Sequence, residues 1–482
     1  MAVSSKHVVI VGGGITGLAA AHALQSRAAS GVPLTCTLIE AEGRCGGKIL
    51  THRVDDFVIE AGPDSFLSQK PWALNLCREL RLADQLINTN ETQEKAFVYS
   101  RGRLRPLPDG LVIITPNRLG PFLRSGLLSW AGIIRMGLDF VISKRSGAED
   151  ESLAAFFTRR FGAEAFERLI EPLMAGIYAG DADDLSIRAA FPRFVELEQR
   201  HGSLLRGMLA ASAPKAAHDH GQPPRTTFVT LKGGLSTLVE SLLKRMAASG
   251  VTVRYDERVT AMRARSMRSA AAPYELLLEN GSLMPADAVI LATPAFASAE
   301  IVRGLSIEAS ALLSAIPYAS TATVSLAYRT ADLSSMVKGF GFVVPRVERR
   351  DLLAATWTSL KWPHRAPPSH TLVRCYVGGI GREAITHVDD LSMISRVRDE
   401  LRALAEITHE PLYAEVNRWD RGMPQYQLGH GQRLEKIQGQ LQSYRGLYLA
   451  GSAYRGIGIP DCIRDGTETA ERVLRHLGMA AT

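Results

Sequence analysis

The sequence predicts an α/β fold whose central parallel sheet is assembled from separate stretches of the chain. Near the start, the apolar run Val8 to Val11 breaks into the glycine turn GGGITG and then into an alanine-rich helix. A second buried strand with a turn, ADAVILATP, occupies residues 286–294, and a third, GLYLAGS, occupies residues 446–452. A strand followed by a turn and a helix is the repeating unit of a doubly wound sheet. We therefore expect a discontinuous Rossmann-like domain, with an α+β region and a helical region between its parts.

Each glycine of the first turn has a separate task. Gly12 permits the tight turn, Gly14 lets the backbone approach a pyrophosphate, and Gly17 lets the helix pack closely on the strand. The helix N-terminus adds free N–H donors and the positive end of the helix dipole. The alternative is a glycine turn that binds no phosphate. The predicted phosphate-binding residues are Gly12, Gly13, Gly14, Ile15, Thr16 and Gly17.

An acidic residue follows the second predicted strand, Leu34 to Ile39. Glu40 stands where a Rossmann-like domain has the carboxylate that binds a ribose hydroxyl. The loop at residues 30–33 explains why this acid comes later than the usual spacing of about 20 residues. Strand, glycine turn, helix and acid together predict a bound dinucleotide.

The residues around this acid continue as EAEGRCGGKI, with an arginine and a second pair of glycines. Arg44 would supply fixed donors, and Gly46 and Gly47 would let the chain pass close to a ligand. Nicotinamide sites do not require this extension, which resembles that of flavoproteins in the amine oxidase and protoporphyrinogen oxidase superfamily. The resemblance implies FAD as the cofactor. The alternative is that Arg44 is a solvated surface charge.

Length and composition are those of an ordinary globular protein. The 482 residues are too many for one core, so two or three domains are expected. The formal charge of +7 is spread along the chain without a basic stripe or a recognisable nucleic-acid module, so nucleic-acid binding is not predicted. This charge would suit a polyanionic substrate or an acidic membrane surface, and solubility alone explains it equally well.

The start of the chain and its cysteines predict the compartment. MAVSSKHVVIV enters a strand without the features of a signal peptide, and no apolar run reaches the roughly 18 residues needed to span a bilayer. The cysteines are odd in number, scattered and without a CxxC pair. This pattern is typical of reduced thiols, and it predicts a cytoplasmic protein without a metal cluster or a disulfide framework.

Between the two ends, hydrophobic periodicity predicts both helices and strands. Residues 111–142 are the most apolar stretch, and prolines and arginines interrupt it. Amphipathic helices suit this stretch, and they would either bury one face or lie on a membrane surface. Residues 212–226 are polar and proline-rich, which predicts a linker or an exposed loop. The other expected elements are a helix over residues 72–87, a hairpin over 97–108, helices over 151–210 and a long helix over 391–407.

The C-terminal segment predicts a return to the cofactor. GLYLAGS is a strand followed by a turn at Gly451, and RGIGIPDCI then begins a helix at Gly458 and Ile459. A glycine-rich start aims backbone N–H groups out of the helix N-terminus toward an electron-rich group. The first and last segments would thus share one cofactor, which makes the nucleotide-binding domain discontinuous.

Long strings along the chain, from about residue 6 to residue 475, resemble one family. They are GGGITGLAAA, EAEGRCGGKI, IEAGPDSFL, IEPLMAGIYAGDADDLSIRAAFP, WTSLKWPHRAP, MPQYQLGH and GIGIPDCI. All of them resemble the FAD-dependent porphyrinogen oxidases of haem biosynthesis. Within that family, KHVVIVGGGITG, TWTSLKWPHRAP and GIGIPDCI are most similar to the bacterial branch that acts on coproporphyrinogen III, whose members are often named protoporphyrinogen oxidases.

The resemblance implies a set of site residues. The backbone of Gly176 is expected beside the substrate, and Lys70 matches a position thought to meet a propionate in the bacterial branch. Many family members carry a basic residue directly before the aromatic Phe97, whereas this chain has Ala96 there and Lys95 one position earlier. A shift of one residue turns a strand side chain to the other face, so Lys95 is not placed in the site. Besides the residues of the first turn, the implied FAD contacts are Glu40, Ala41, Arg44, Gly47, Lys48, Gly62, Pro63, Asp64, Ser65, Val259, Trp419, Gly451, Ile457, Gly458 and Ile459.

The same resemblance divides the chain into three domains. The helical domain is the part expected to form a substrate channel or to touch a membrane surface. Arg101, Arg103 and Arg105 alternate along its hairpin and are candidates to meet substrate carboxylates, although a solvated edge strand is the favoured alternative. The expected domains are an FAD-binding domain of residues 1–70, 226–297 and 415–482, a substrate-binding domain of residues 71–92 and 298–414, and a mostly helical domain of residues 93–225.

The implied reaction is the six-electron oxidation of coproporphyrinogen III to coproporphyrin III, with dioxygen as the acceptor and hydrogen peroxide as the second product. A methylene bridge between two pyrroles is already activated, so the reaction requires no metal, nucleophile elbow or Cys/His pair. The alternative substrate within the family is protoporphyrinogen IX. More distant alternatives are another amine-oxidase-type enzyme, which GPDSF and MAGIYAGD disfavour, and a flavin or porphyrin carrier without turnover. A later enzyme of haem biosynthesis is a candidate protein partner.

Overall fold

The computed structural model describes residues 5–27, 33–90, 92, 96–107, 111–112, 115–116, 125–145, 147, 149–211, 225–265, 272–333 and 339–479. Lys95 and all but the last two residues of the predicted loop 212–226 lie outside these ranges. The site residues that the sequence predicts all lie within them.

Five parallel strands form the central sheet that the sequence predicts. Val8 lies opposite Cys36 on one side and Ala288 on the other, so the first strand is the middle of the sheet. The helices that follow this strand and its neighbour at Ala288 pack on opposite faces, so the carboxyl ends of the two strands flank a crevice, where such sheets bind ligands. In spatial order, the strands are Thr252–Arg254, Leu34–Ile39, Lys6–Val11, Ala288–Leu291 and Leu447–Leu449.

Both faces of this sheet are buried, as the continuous apolar run of its middle strand predicts. Val8 and Ile10 pack into one core cluster, whereas Val9 and Val11 pack into another on the opposite face. The first cluster includes the helices Ile15–Arg27, Pro71–Glu79, Ser236–Ala248 and Ile459–His476. The second includes the antiparallel strands Val259–Ala264, Tyr274–Leu278 and Leu283–Ala286 and the helices Ala295–Val302, Ile307–Ser314 and His430–Leu441.

A second, larger sheet of seven strands carries the helix Asp390–Ala405. The helix packs on the sheet through Met393, Val397 and Leu401 and ends where Glu406 adopts a left-handed φ of 56°. This confirms the predicted long helix to within two residues. The strands, in spatial order, are Tyr413–Pro424, Tyr318–Arg329, His370–Gly378, Leu352–Trp357, Gly341–Val343, Ala96–Ser100 and Arg103–Pro106.

Two segments join this large sheet although the sequence predicts them in other domains. The predicted hairpin forms, but its Phe97 pairs with Phe342, in parallel, at the far end of the sheet. At the other end, Trp419 pairs with Thr321. Boundaries after residues 92 and 414 therefore separate strands of one sheet, because the pairing of distant strands leaves no local mark in the sequence. The division into three functional domains stays a prediction.

The region between the hairpin and residue 211 is mainly helical. A π-helical segment, Phe166–Ile170, leads directly into the helix Glu171–Tyr178. Its second residue is Pro172, which has no N–H to donate, and a π-bulge is a usual way for a helix to accommodate such a defect. The other elements are Trp130–Gly137, Leu138–Phe140 (3-10), Leu153–Phe161, Ala163–Ala165, Ile187–Ala190, Pro192–His201 and Leu204–Ala211.

Two predicted helices are shorter than the sequence patterns indicate. The helix predicted over residues 72–87 ends at Glu79, because Arg81 adopts a left-handed φ of 58°, and a 3-10 turn and the strand Leu86–Asn88 follow. Among the described residues of the apolar stretch 111–142, Trp130–Gly137 is the α-helix, and Leu111–Val112 pairs with Thr115–Pro116 as short strands. None of the helices in the described ranges combines the length and the hydropathy that a membrane-spanning segment requires.

The remaining elements are short and connect the two sheets. The strand Phe228–Leu231 pairs with Phe66–Leu67 on one side and with Leu86–Asn88 on the other. A hairpin of Thr51–Val54 and Phe57–Glu60 leads into the turn at residues 61–65. The other short helices are Ala83–Gln85, Thr330–Leu333, Arg346–Glu348, Thr358–Lys361 and Glu383–His387.

Candidate active site

The glycine turn after the first strand has the shape of a phosphate-binding turn. Gly12 has a φ of 105°, and a Cβ there would lie 2.8 Å from the carbonyl oxygen of Ala292. A Cβ at Gly17 would lie 2.0 Å from the carbonyl oxygen of Gly12, whereas a Cβ at Gly14 would meet no neighbouring atom of the described residues within 4 Å. The turn is therefore closed against the protein at Gly12 and Gly17 and open at Gly14, as the close approach of a pyrophosphate requires.

Glu40 lies across this turn with its carboxylate held by the main chain. The N–H of Gly13 donates to Oε2 at 2.7 Å, and the N–H of Glu42 donates to Oε1 at 3.0 Å. The backbone carbonyl of Glu40 accepts from Glu257 at 3.0 Å, and the chain then reaches Val259, which is buried. The structure thus brings Glu40, its neighbour Ala41 and the segment leading to Val259 together beside the first turn.

Arg44 holds the second glycine pair against the first turn. Its Nη2 donates to the carbonyl of Gly47 at 2.7 Å, and its Nη1 donates to the carbonyl of Ile49 at 3.4 Å. The N–H of Gly46 donates to the carbonyl of Gly13 at 2.8 Å. Arg44 is exposed on one side, but these bonds give it a defined conformation, so it is more than a solvated surface charge.

Two ionisable groups beside these turns are shifted toward their neutral forms. Lys48 is surrounded by protein atoms while part of its side chain stays accessible to solvent, as expected in a deep cleft. Burial lowers the pKa of Lys48, and its ammonium has no ion pair with a carboxylate of the described residues. Burial, with the Glu40 carboxylate nearby, raises the pKa of the Cys45 thiol to about 11, which leaves that thiol protonated and unreactive near neutral pH.

The turn at residues 61–65 connects the first sheet to the large sheet. The carbonyl of Ala61 accepts from the Trp419 indole at 2.8 Å, from the Thr323 hydroxyl at 3.1 Å and from the Arg374 guanidinium at 3.2 Å. The Arg374 guanidinium also donates to the carbonyl of Gly62. A Cβ at Gly62 would lie 1.8 Å from the carbonyl oxygen of Lys48, so this turn packs directly on the Arg44 segment.

Asp64, which follows Pro63, is the acidic residue of this turn, and its carboxylate accepts several hydrogen bonds. Its carboxylate accepts from Ser65 at 2.6 Å, from the Trp362 indole at 3.3 Å and from the Lys361 ammonium at 3.1 Å. Burial by itself would raise the pKa of Asp64, but Lys361 and Arg374 outweigh it and hold that pKa well below its usual range. Asp64 is therefore an ionised hydrogen-bond acceptor at neutral pH and not a proton donor.

A buried ion pair lies under the same turn. The Arg365 guanidinium is fully buried and donates to Glu60 at 3.1 Å and to Thr230 at 2.9 Å. Glu60 also accepts from the Thr51 hydroxyl at 2.7 Å and from the N–H of Leu235 at 2.8 Å. Burial raises the pKa of Glu60, and Arg365 opposes that shift. This network joins the hairpin of Thr51–Val54 and Phe57–Glu60 to the strand Phe228–Leu231, to the start of the helix Ser236–Ala248 and to the loop before the strand His370–Gly378.

The C-terminal turn lies against the first one. The N–H of Gly451 donates to Asp465 at 2.8 Å, and a Cβ at Gly466 would lie only 2.3 Å from the carbonyl oxygen of Thr16. This close crossing of two helices places the glycine-rich start at Gly458 beside the helix that begins at Ile15. Both helix N-termini therefore open on one crevice. Ile457 and Ile459 flank Gly458 at this edge.

The two predicted substrate residues lie in different surroundings. The Lys70 ammonium lies 2.5 Å from Asp461, which is buried at the start of the last helix, and the Lys70 side chain is 40% exposed. Lys70 is thus at the mouth of the crevice with its charge already paired. Gly176 lines a separate cleft between its helix and the large sheet. That the two residues contact substrate stays a prediction.

The three arginines of the hairpin do not share one face. Arg101 is in the turn, with a left-handed φ of 54°, and pairs with Glu164 at 2.7 Å. Arg105 donates to the carbonyl of Ser100 at 3.3 Å, and Arg103 is exposed. The alternation predicted for Arg101 is wrong, because Arg101 lies in the turn between the two strands, whereas Arg103 and Arg105 lie in the second strand. The structure gives no reason to assign these arginines to the substrate.

Sequence reasoning missed the residues that support the turn at residues 61–65. Lys361, Trp362 and Arg365 lie in the string WTSLKWPHRAP, which carries the family resemblance, yet no role was predicted for them. Two tryptophans, a lysine and an arginine within nine residues were the available signal. Arg374 lies inside an apolar strand, His370–Gly378, and a single buried arginine there was a second signal.

The described site fits FAD. The opening at Gly14 leaves room for a pyrophosphate, and the oriented carboxylate of Glu40 can accept a hydrogen bond from a ribose. The ammonium of Lys48, which has no ion pair within the described residues, adds a positive charge in the deep cleft. Gly12 to Thr16, Glu40, the Arg44–Lys48 segment and Gly458 would hold the group. Within the described ranges, no group of three or more His, Cys, Asp or Glu side chains is arranged to hold a metal ion.

Comparisons with known proteins agree with this site. The family model described as flavin-containing amine oxidoreductase matches residues 15–474. Coproporphyrinogen III oxidase of Bacillus subtilis (strain 168) is 39% identical over 479 residues, which cover 99% of this chain and 100% of that protein. Chloroplastic protoporphyrinogen oxidase 1 of Arabidopsis thaliana is 32% identical over 96% of this chain and 87% of that protein.

A solved structure is similar along the whole chain. It comes from Exiguobacterium sp. 255-15, carries the provisional name of a protoporphyrinogen oxidase, and superposes with a TM-score of 0.85 at 33% identity. The match covers 98% of this chain and 99% of that one. The fold described above is therefore shared with that structure along nearly its whole length.

Proposed function

The chain belongs to the family of flavin-containing amine oxidoreductases, and from this premise we propose that it oxidises coproporphyrinogen III to coproporphyrin III with FAD as cofactor. The observation that carries the proposal is full-length similarity to relatives named coproporphyrinogen III oxidase, at 39% and 33% identity, combined with the crevice in which the glycine turns meet. Family membership makes the chain a flavoprotein oxidoreductase. The substrate and the dinucleotide form of the flavin are parts of the proposal.

The dinucleotide form is supported by the geometry at Glu40. A flavin mononucleotide has a ribityl chain but no ribose for this carboxylate to bind, whereas the adenosine half of FAD would place a ribose beside it. The two backbone N–H bonds that orient Glu40 have no evident use without such a partner. The open face of Gly14, one turn away, is the corresponding position for the pyrophosphate.

The chain contributes binding and orientation to the proposed reaction. When bound, FAD supplies a hydride acceptor for a methylene bridge, with dioxygen as the final electron acceptor. The Lys361–Asp64–Arg374 network fixes the turn at residues 61–65, so that the substrate meets a rigid wall. Asp64 stays ionised and Cys45 stays protonated, so neither is a general acid or nucleophile near neutral pH. Proton loss from the pyrroles would then go to solvent.

Protoporphyrinogen IX is the second candidate substrate. The plant and bovine relatives named protoporphyrinogen oxidase match nearly the full chain at 28–32% identity, below the 33–39% of the coproporphyrinogen III oxidases. The two substrates differ in that vinyl groups replace two of the four propionates. Binding of the additional carboxylates is therefore what separates the two candidates.

Contact with a membrane surface would be peripheral. Trp130, Ile134 and Val141 are 70%, 66% and 74% exposed along one short helical segment, and the Arg206 guanidinium lies over the nearby Phe140 ring at 6.0 Å. Apolar side chains with an adjacent cation suit the interface of an anionic bilayer. Co-sedimentation with anionic vesicles, lost in Ile134→Glu, would support this contact, and no binding in low salt would rule it out.

The test of the proposed function is turnover by purified protein. FAD-loaded protein given coproporphyrinogen III should produce red porphyrin fluorescence and hydrogen peroxide in a ratio of three peroxides per porphyrin, with higher catalytic efficiency than on protoporphyrinogen IX. An amine substrate serves as the control. Bound flavin without turnover of either porphyrinogen would indicate a carrier, and preference for protoporphyrinogen IX would select the second candidate. Docking of a later haem-pathway enzyme would be tested by adding that enzyme to the same assay.

A further inference from the structure

A half-open cleft lies between the helix Glu171–Tyr178 and the end of the large sheet. Gly176 lines it from the helix, and Gly378 and Gly379 line it from the sheet. A Cβ at Gly176 would meet no neighbouring atom of the described residues within 4 Å, so the helix leaves open space at this point. At these three glycines, on facing elements, the walls of the cleft carry no side chains.

One face of the strand His370–Gly378 leads from the turn at residues 61–65 to the cleft. Arg374, which donates to Ala61 and Gly62, alternates with Tyr376 and Gly378 on the same face of the strand His370–Gly378. Val373, Cys375 and Val377 point into the core on the opposite face. Four residues of strand span about 13 Å, so one flat ligand could reach from the turn to the cleft.

The two arginines that line the cleft, Arg346 and Arg382, differ in their ion pairs. Arg346 pairs with Asp181 at 2.8 Å, and its N–H donates to Glu171 at 3.1 Å. Arg382 donates through Nη1 to the carbonyl of Arg350 at 3.2 Å, and no carboxylate of the described residues lies within ion-pair distance of its guanidinium. Burial lowers the pKa of Arg382 and raises that of Glu171. Arg382 is thus a half-buried cation at the cleft that makes no ion pair with a carboxylate of the described residues, and Glu171 and Asp351 act on it only from a longer distance.

We propose that this cleft receives one edge of the porphyrinogen and that Arg382 pairs with a propionate carboxylate there. A guanidinium presents a planar fork of donors that matches a carboxylate, and a partly buried pair is screened less than an exposed one. The glycine walls leave room for the substituent to enter. The inference rests on the proposed function and names a residue that would select a carboxylate-rich tetrapyrrole.

The experiment compares Arg382→Gln and Arg382→Lys with Arg349→Gln in the FAD-loaded protein. Arg349 is exposed on the neighbouring loop, so its replacement removes the same charge without changing the cleft. The probes are coproporphyrin III and its tetramethyl ester, with affinity measured by fluorescence quenching. We expect the dissociation constant of the free acid to rise about tenfold in Arg382→Gln and less in Arg382→Lys. Ester affinity and flavin content should not change in any variant.

The outcomes separate the possible failures. Unchanged binding of the free acid by Arg382→Gln would overturn the contact. An equal loss of acid and ester binding would also overturn it, since Arg382 would then support only the shape of the cleft through Arg350. Wild-type protein that holds FAD but oxidises no porphyrinogen would show, before any variant is made, that the proposed function itself is wrong.

Discussion

The nucleotide side and the substrate side of the crevice hold their polar groups in different ways. On the nucleotide side, Glu40 is oriented by two backbone N–H groups, and the turns leave no room for side chains except at Gly14. On the substrate side, Lys70 and Arg382 lie on the surfaces of clefts, one paired with Asp461 and the other with only a carbonyl oxygen. Main-chain contacts give a rigid site for an invariant cofactor, whereas single side chains can set substrate preference without disturbing the fold.

The largest effect should come from closing the nucleotide side. Gly14→Val would place a branched side chain where the pyrophosphate approaches, so the variant should retain no FAD. A Cβ at this position meets no neighbouring atom of the described residues within 4 Å, so the variant should still fold. Gly17→Val is the contrasting variant, because its Cβ would overlap the carbonyl of Gly12 and should prevent folding. Flavin absorbance and circular dichroism of both proteins provide the measurement. Stoichiometric FAD in folded Gly14→Val would show that the cofactor lies elsewhere.

The next effect concerns the buried pair that joins the two sides. Arg365→Met leaves Glu60 buried with two hydrogen bonds and no counter-charge, and should lower the free energy of unfolding by about 3 kcal/mol. Adding Glu60→Gln removes the unpaired charge and should recover most of the loss. Chemical denaturation of the apoproteins measures both. If the double variant is no more stable than the single one, the ion pair is not the reason for the loss.

Glu40→Ala should have a smaller and more selective effect. Loss of hydrogen bonds to a charged group predicts a rise of about tenfold in the FAD dissociation constant, with little change in kcat at saturating FAD, because the ribose is remote from the reacting ring. Glu42→Ala is the matched control, since only the backbone of Glu42 contacts Glu40. Equilibrium binding of FAD to the apoproteins measures the dissociation constants. Equal affinities of the two variants for FAD would contradict the proposal that Glu40 binds the ribose.

The smallest effect is expected at the exposed end of the substrate side. Lys70→Ala should raise the Michaelis constant for coproporphyrinogen III by about threefold, since a 40% exposed pair contributes less than about 1 kcal/mol. The difference from wild type should shrink as ionic strength increases. Lys436→Ala, which removes an exposed lysine from the helix His430–Leu441, controls for net charge. A salt-independent change would indicate that Lys70 acts through Asp461 and the last helix instead.

Much of the nucleotide side could be predicted because its information is local. The run VVIVGGGITG contains a buried strand, a turn and a helix start within ten residues, and the structure has all three in those positions. The position of Glu40, which comes later than the usual spacing, could also be predicted, because the intervening loop can be recognised in the sequence. That local pattern predicts dinucleotide contacts at Gly12 to Gly17 and Glu40, whereas FAD and the other contacts are implied by the family resemblance, and all of these contacts stay predictions.

The substrate side was predictable only in outline. Helices ended early at Glu79, and the hairpin at residue 97 joined a sheet whose other strands lie more than two hundred residues later. Lys70 could be named, but not its pairing with Asp461, 391 residues away. Such partners are set by packing, and strand pairing at long range depends on which faces are apolar in the assembled fold.

The sequence by itself determined the fold class, the flavoprotein family and the crevice in which glycine turns from both ends of the chain meet. These follow from the limited backbone conformations that glycine and buried apolar runs permit. Only the tertiary structure decided which charges are paired. In the folded chain, Lys361 and Arg374 bind the turn at residues 61–65, whereas Arg382 forms no ion pair with a carboxylate of the described residues. The reason is that the distance between two side chains is a property of the packed molecule and not of either segment.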